Sequence, residues 1–410
     1  MSSLTIISGI PATYNVGAGR LMLHLANEAW TFGPSTELVY VGNKANAAAS
    51  YRLGNHLGFM AAAALHFVRR GVARLHLRAL ATRSHVVLIH PQEIGIAWCQ
   101  EFLRHRKRPT WIYILDASFF CIRSYNHLPG ESAECLRCLR GEFVAAELNG
   151  CRAFPIADHR IMAFMNLLLE KVKTGKIRLL AQNERHAELM RAHFGQQAVI
   201  RIVGLWTVDM AEFDCHPAAE AQADSAYDVV FHAEPKDAKG FLWAIQLATA
   251  CPELRFLFPC NLPEHLECPA NCQFSPLTWE LGLKGVIRHS PLTLAPSLWS
   301  APIEGALVKS ILNAPRVGVV AVATAYSSEL PPTLVTQFDR NPVIAAGQLR
   351  ERLAAPPNPR AAVTAWFEQL HGYARLLNGI SNAISDTEEV EPGGCLRNAV
   401  ASAAPNATKI

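Results

Sequence analysis

The feature that most constrains this chain is an alternation of short, β-rich apolar runs with longer stretches of helical periodicity. Leu4–Ile7, Glu37–Val41, Val86–Ile89, Thr110–Leu115, Ile177–Ala181 and Val199–Val203 are dominated by branched apolar residues, as strands covered on both faces are. The stretches between them, His159–Lys173 for example, carry helical spacing. Parallel strands need a crossover, and a helical crossover covers the sheet, so the pattern predicts an α/β fold. The alternation stops at Asp214 and resumes at Val229, with further runs at Val229–His232, Leu254–Phe258, Leu292–Ala295 and Val317–Val322. Residues 214–228 have no apolar periodicity and predict a linker. The expected architecture is two doubly wound Rossmann-like domains, 1–213 and 229–380, facing a cleft. A loose tail is expected over 381–410, which is acidic at first and then holds Pro392-Gly-Gly394. A length of 410 residues suits two cores better than one.

Half of the residues are apolar and 18% are charged, which excludes a disordered chain. No run of 18 apolar residues occurs. The nearest approach, Gly58–Val68, contains His66 and runs into Arg69 and Arg70, so it predicts a buried or amphipathic helix. The segment Met1–Ser8 has no basic lead and no cleavage motif and reads as a first strand, so a cytoplasmic location is expected. In that compartment eleven cysteines are not a disulfide framework, and most read as small buried hydrophobes. Charge is divided unevenly. Residues 1–208 hold 24 Lys and Arg against 13 Asp and Glu, +11, while 209–410 hold 14 against 21, −7. The basic half includes Arg69, Arg70, Arg74, Arg78, Arg83 and the run Arg104-His-Arg-Lys-Arg108. Aromatic interleaving and nucleic-acid motifs are missing, so nucleic acid is not an expected partner. An anionic membrane face or a phosphorylated lipid acceptor fits the charge, and so do plainly solvated helix faces.

The first strand ends at Ser8-Gly9-Ile-Pro11, and Gly17-Ala-Gly19-Arg20 then opens a helix. Glycines there let a ligand approach the backbone, and helix N-terminal amides favour anions, although a plain tight turn uses the same residues. The third glycine of a dinucleotide fingerprint is missing. In the second half, Val229–His232 leads into Glu234-Pro-Lys236-Asp-Ala-Lys239-Gly240 and a helix, Phe241–Ala250. Further on, Pro296-Ser-Leu-Trp299-Ser-Ala-Pro302-Ile-Glu304-Gly305 opens another helix, and Val317–Val322 leads to a loop ending at Glu329. A cation at such a strand–helix junction, Lys239, suits a phosphate group. Carboxylates such as Glu304 and Glu329 offer acceptors to hydroxyl groups. Amides from Gly305 onward suit phosphate oxygens, and no Asp-x-Asp metal motif accompanies them.

This order resembles the retaining glycosyltransferases of family 4, which have the GT-B fold. Those proteins run strand, Lys-Gly loop, helix, strand, then Pro-Ser-x-x-Glu with a Gly and a second Glu, then a strand and a Glu-containing loop. The resemblance covers nearly the whole chain and extends to Gln182-Asn183-Glu184 and Phe194-Gly195. It implies a nucleotide-sugar donor held by Gly17, Gly19, Lys239, Glu304, Gly305, Ser310 and Glu329. It also implies transfer with retention to a glycan, lipid-linked or small-molecule acceptor, with no cofactor needed for catalysis. Two departures stand out. The Glu-x7-Glu pair is broken, with Val308 eight residues after Ser300, and Ser310 falls where the second Glu is expected. The Arg before Lys-Gly is absent, with Glu234 near its place and Lys236 as a substitute.

The first half resembles a subset of the same family in which a strand ends in His-Asp and a cysteine-rich loop follows. Here the strand ends Ile114-Leu115-Asp116, with Leu115 in place of His, and the loop holds Cys121, Cys135-x2-Cys138 and Cys151. Asp116 is the expected acceptor-side base, with His90 a second candidate facing the cleft. Four thiols suffice for a tetrahedral structural zinc, with free thiols and an iron–sulfur cluster as alternatives. Two other functions fit the same residues: a catalytically inactive GT-B binding or scaffold protein, and a sugar-nucleotide epimerase.

Overall fold

The computed structural model describes residues 3–389, except 11, 13–16, 33–35, 41–59, 155–157, 205–225, 301–303, 322–329 and 372–375. Between 62 and 84 it describes only Ala64, Phe67, Val68, Gly71, Val72 and Leu75. Glu329, most of the expected linker and residues 390–410 therefore lie outside the described residues.

Among the described residues, two six-stranded parallel sheets form. The first contains β1 (Leu4–Ser8), β2 (Thr36–Tyr40), β3 (His85–Ile89), β4 (Thr110–Tyr113), β5 (Ile177–Ala181) and β6 (Ile200–Ile202), in the order β2-β1-β3-β4-β5-β6. Strands β1, β4 and β5 are buried along their whole length and β3 at all but its first residue. Helices on both faces leave them no solvent side, so no polar alternation is seen. The second sheet contains β7 (Val229–Phe231), β8 (Phe256–Phe258), β9 (Cys272–Phe274), β10 (Leu292–Leu294), β11 (Val317–Val320) and β12 (Thr336–Phe338), in the order β12-β11-β10-β7-β8-β9. The expected fold class, two doubly wound Rossmann-like domains, is the one observed. Strand order reverses between β1 and β3 in one sheet and between β7 and β10 in the other. Crevices open beyond the carboxyl ends of strands at such points; His90 follows β3, the 236–240 loop follows β7, and Glu304 lies beyond β10.

Strands β9 and β12 have no counterpart among the apolar runs. Each is three residues long at a sheet edge, with Gln273 or Gln337 in the middle and exposed. The C-terminal end also differs from expectation. Residues 381–389 are not loose, because they lie in the helix Leu376–Glu389. Its Leu376, Leu377, Ile380, Ala383 and Ile384 pack among Leu4, Ile6, Leu21 and Met22 of the first domain. The Leu377 backbone N–H donates to Glu28 Oε2 at 2.6 Å. The chain thus returns from the second domain to close the first. In the other direction Trp299 enters the first domain's core, where it is 2% exposed.

Candidate active site between the domains

In the second domain, β7 leads to a one-turn 3-10 helix, Asp237–Lys239, closed by Gly240. Gly240 has φ +72°, and a Cβ there would collide with the Pro296 carbonyl oxygen. Only glycine lets the 236–240 loop lie directly on the loop after β10. That contact brings Lys239 to Glu304, and the two form an ion pair through Nζ and Oε1. Ser297 Oγ donates to the other carboxylate oxygen, Oε2, at 2.5 Å. The Lys239 ammonium also lies 4.9 Å from the Tyr125 ring centroid and 4.8 Å from that of Trp299. A cation whose side chain is 10% exposed is thereby satisfied by one carboxylate and two aromatic faces. Glu304 stands at the N-cap of the helix Gly305–Asn313, so Gly305 contributes the first helical amide.

Ser310, on the same helix, donates to the Ala306 carbonyl at 2.9 Å. Its hydroxyl proton is committed there, so His232 Nδ1, 2.8 Å away, carries the hydrogen it shares with Ser310 Oγ. His232 stacks on Trp279 with centroids 5.6 Å apart. Burial, aided by the nearby Lys309 cation, pushes its imidazole down to about 4. Ser310 therefore braces the carboxyl end of β7.

In the first domain, Asp116 follows β4 in an extended conformation and caps a 3-10 turn, accepting from the Ser118 N–H at 2.8 Å. Burial raises its carboxyl above the ordinary carboxylate range, opposed by the Ser118 hydrogen bonds and by the Lys239 charge. His90 follows β3 with φ 56° and ψ 64°, a left-handed conformation that costs a non-glycine residue energy. Its Nε2 is buried without a hydrogen-bond partner among the described residues, and burial pushes the ring down to about 4. His90 and Asp116 line one cavity together with Gln92, Leu115 and Ser118. Gln182 supports this wall, its Nε2 donating to the carbonyls of Ile114 at 3.2 Å and Leu115 at 3.1 Å.

The two half-sites face each other. Asp116 responds to Lys239, and burial together with the charges of Glu234, Glu304 and Asp116 raises the Tyr125 hydroxyl. Several interdomain contacts had no sequence signal. Asn126 Nδ2 donates to Ser300 Oγ at 2.9 Å, and the Ser300 N–H donates back to Asn126 Oδ1 at 3.0 Å. The Gly130 N–H donates to Asp237 Oδ2 at 2.9 Å. Lys236, the expected substitute for the missing Arg, pairs with Glu234 at 2.9 Å and lies over the rings of Tyr125 and Phe154. Ser300, in the place of the first Glu of the broken pair, is thus used to join the domains. Tyr125, Asn126, Ser297 and Trp299 join the site although sequence reasoning did not single them out as site residues. Only Ser297, in its Pro-Ser motif, had a local cue.

Of the other expected residues, Gly17 and Gly19 open the first-domain helix Gly17–Phe32. Arg20 on that helix reaches Glu280 of the second domain at 3.5 Å, so the helix start faces the same crevice. The four cysteines line a separate cavity as free thiols, and among the described residues no group of three or more metal-ligating side chains is placed to hold a metal ion.

No protein-family model matches the chain, and no curated protein matches it. Solved structures match it along its length. Sucrose-phosphate synthase from Thermosynechococcus elongatus aligns at TM-score 0.58 and 9% identity, over 95% of this chain and 100% of that one. An α,α-trehalose-phosphate synthase (UDP-forming) from Burkholderia vietnamiensis aligns at TM-score 0.51 and 11% identity, over 95% and 100%. Anabaena HepE in complex with UDP-glucose aligns at TM-score 0.52 and 10% identity, over 94% and 99%. At such identities the shared property is the backbone architecture. The chain has the two-domain GT-B fold of glycosyltransferases.

Proposed function

We propose that this chain is a glycosyltransferase that moves a hexose-like sugar from a nucleoside-diphosphate donor to an acceptor hydroxyl, with retention and without a metal in the chemistry. The observation that carries the reading is the Lys239–Glu304 pair of one domain standing within electrostatic reach of Asp116 of the other. A diphosphate entering the crevice takes over Lys239 as its cation, and the helix amides from Gly305 onward add to the field on the leaving phosphate. Glu304, released from Lys239 but still oriented by Ser297, accepts hydroxyls of the sugar. The acceptor presents its hydroxyl at the small cavity lined by Asp116 and His90, where Asp116 takes the hydroxyl proton and the neutral imidazole orients the oxygen. Retention enters through the resemblance to family 4. HepE was solved with UDP-glucose, and a donor of that class is proposed here.

The acceptor is proposed to be reached at the cytoplasmic face of an anionic membrane. Phe67, Val68, Val72 and Leu75 are helical and exposed in the first domain, within a segment, 38–92, that contains no acidic residue. Apolar side chains without acidic neighbours suit the interface of an anionic bilayer. No described helix is long and apolar enough to cross one.

A second reading, an inactive GT-B protein that binds without transferring, is favoured by the serines at the broken Glu positions, both engaged in internal hydrogen bonds. Calorimetry with a panel of nucleotide sugars, followed by turnover assays with and without acceptors, separates the readings. Binding plus acceptor-dependent loss of donor supports transfer. Binding without turnover supports the second reading, and conversion of the donor sugar without acceptor indicates an epimerase.

A further inference from the structure

Three groups close in the ammonium of Lys239, and they differ in how firmly each is held. Glu304 pairs with it, and the Tyr125 and Trp299 ring centroids lie 4.9 Å and 4.8 Å from Nζ. Trp299 is 2% exposed in the first domain's core and cannot give way without unpacking it. Glu304 is an anion, so an incoming phosphate replaces it charge for charge. Tyr125 is neither locked in a core nor charged. Its ring is half-buried, meets that of Trp299 edge-on at 4.8 Å, and leans on Phe154, which is 41% exposed.

The backbone beneath that ring is fixed on both sides. Ser124 has φ +62°, a left-handed conformation that costs a residue with a Cβ energy. Its carbonyl accepts from the Ala117 N–H at 3.0 Å and its own N–H donates to the Cys121 carbonyl at 3.1 Å. Its Oγ donates to the Phe154 carbonyl at 2.8 Å. Asn126 is clamped to Ser300 across the domain boundary. Tight three-residue turns bracket Tyr125, whose N–H donates to the Arg123 carbonyl at 2.7 Å and whose carbonyl accepts from the His127 N–H at 2.8 Å. The freedom that remains belongs to the side chain. Burial, with the charges of Glu234, Glu304 and Asp116, keeps the phenol protonated, so the face of a neutral ring attracts the Lys236 and Lys239 cations.

We propose that Tyr125 is a gate over the diphosphate subsite. In the empty protein its ring covers Lys239, and a nucleoside diphosphate reaches the ammonium only after that ring has rotated aside, with the Asn126–Ser300 clamp still closed. This gate rests on the assignment of Lys239 to the donor. A lysine side chain that is 10% exposed, paired with a carboxylate and roofed by two rings, leaves two phosphoryl groups no approach. Rotation exchanges a ring-face contact for a charge-assisted hydrogen bond, the stronger of the two.

Two measurements on the full chain test the gate, and the first needs no donor. Acetic anhydride acylates the amines it can reach, and peptide mass spectrometry reads the rate at Lys239. Tyr125→Ala is expected to raise that rate at least about fivefold, while Tyr125→Phe, which keeps the ring, leaves it native. The second follows UDP binding by stopped-flow tryptophan fluorescence, since Trp299 touches Tyr125. Association should be about tenfold faster in Tyr125→Ala and native in Tyr125→Phe, because a step that precedes binding slows entry. Native labelling in Tyr125→Ala shows that Lys239 is not covered by this ring, and native association shows that the ligand does not wait for it. Either result overturns the gate. Hydrogen exchange over residues 121–135 that speeds up with UDP bound would show the whole loop opening and overturn the rotation. If Tyr125→Ala does not fold, Tyr125→Leu takes its place, and the native chain decides beside it. An association rate that levels off as UDP rises marks the opening step, and one that climbs linearly overturns it. Failure of UDP to bind the native chain counts against the donor reading, and the labelling comparison still decides whether Tyr125 covers Lys239.

Discussion

Asn126 and Ser300, 174 positions apart, hold each other through two hydrogen bonds, at 2.9 Å and 3.0 Å, with both side chains buried. The clamp joins the cysteine loop of one domain to the donor-side loop of the other. Replacing Asn126 by Ala removes both bonds and leaves the Ser300 N–H buried without its acceptor. The expected cost is about 1–3 kcal/mol in chemical denaturation. A loss within experimental error would mean that the clamp contributes nothing to domain coupling.

Lys239→Ala and Glu304→Ala are each expected to weaken donor binding by about 1.5–3 kcal/mol, because each loses a charged hydrogen-bond partner. Calorimetry with the best-bound nucleotide sugar is the measurement, with circular dichroism as the check on folding. Two well-folded variants with native donor affinity and turnover would remove the proposed site.

Gly240→Ala tests the loop contact that positions Lys239. The substitution places a Cβ against the Pro296 carbonyl oxygen at a residue with φ +72°. It should destabilise the chain by about 1–3 kcal/mol and weaken donor binding with it. Native stability in that variant would show that the two loops do not need their close approach.

Buried neutral histidines make stability depend on pH in a defined direction. His90, His193 and His232 are pushed down to about 4 and His186 to about 3, each mainly by burial. In the unfolded chain these rings titrate near 6.5, roughly. Between there and about pH 4 the unfolded state binds more protons, so stability is full above the unfolded value and is lost as pH falls. His90→Asn keeps a residue that tolerates the left-handed backbone and removes one such group. The variant should lose less stability between pH 6.5 and 4 than the native chain, while transfer falls about a hundredfold at unchanged donor affinity. An unchanged pH slope would place His90 in water.

How much of this was legible depends on whether the signal is local. Buried parallel strands such as Ile177–Ala181 are apolar at nearly every position, Arg178 over the Trp111 ring being the exception, and that run appears in the sequence at its observed bounds. The turn at Lys239-Gly240 and the residue Glu304 could be read because strand, loop and helix follow in a fixed order. Strands β9 and β12 could not be, because a three-residue edge strand needs no apolar run. The final helix was misread through its Ser, Asp and Glu content, although Leu376, Ile380, Ala383 and Ile384 keep helical spacing. Asn126, Trp299 and Ser300 had no signal, because pairing across a domain boundary leaves nothing in the neighbouring residues.

The structure also refines how the basic surface should be tested. Arg104, Lys107 and Arg108 are exposed, whereas Arg106 is half-buried over the Phe102 ring, 5.6 Å from its centroid. Burial, with the Arg108 charge, lowers Arg106 to about 10. Reversing Arg106 would disturb packing, so the informative variant is Arg104→Glu/Lys107→Glu/Arg108→Glu. It should bind acidic vesicles more weakly, by about 1 kcal/mol for each charge at the surface. Binding by the native chain should fall as salt rises, because screening shortens the reach of exposed charges. Donor affinity should be unchanged, since Lys239 and Glu304 lie in the other domain. A native chain that ignores acidic vesicles at low salt, yet glycosylates a soluble acceptor, would detach the charge asymmetry from membranes and leave the catalytic reading intact.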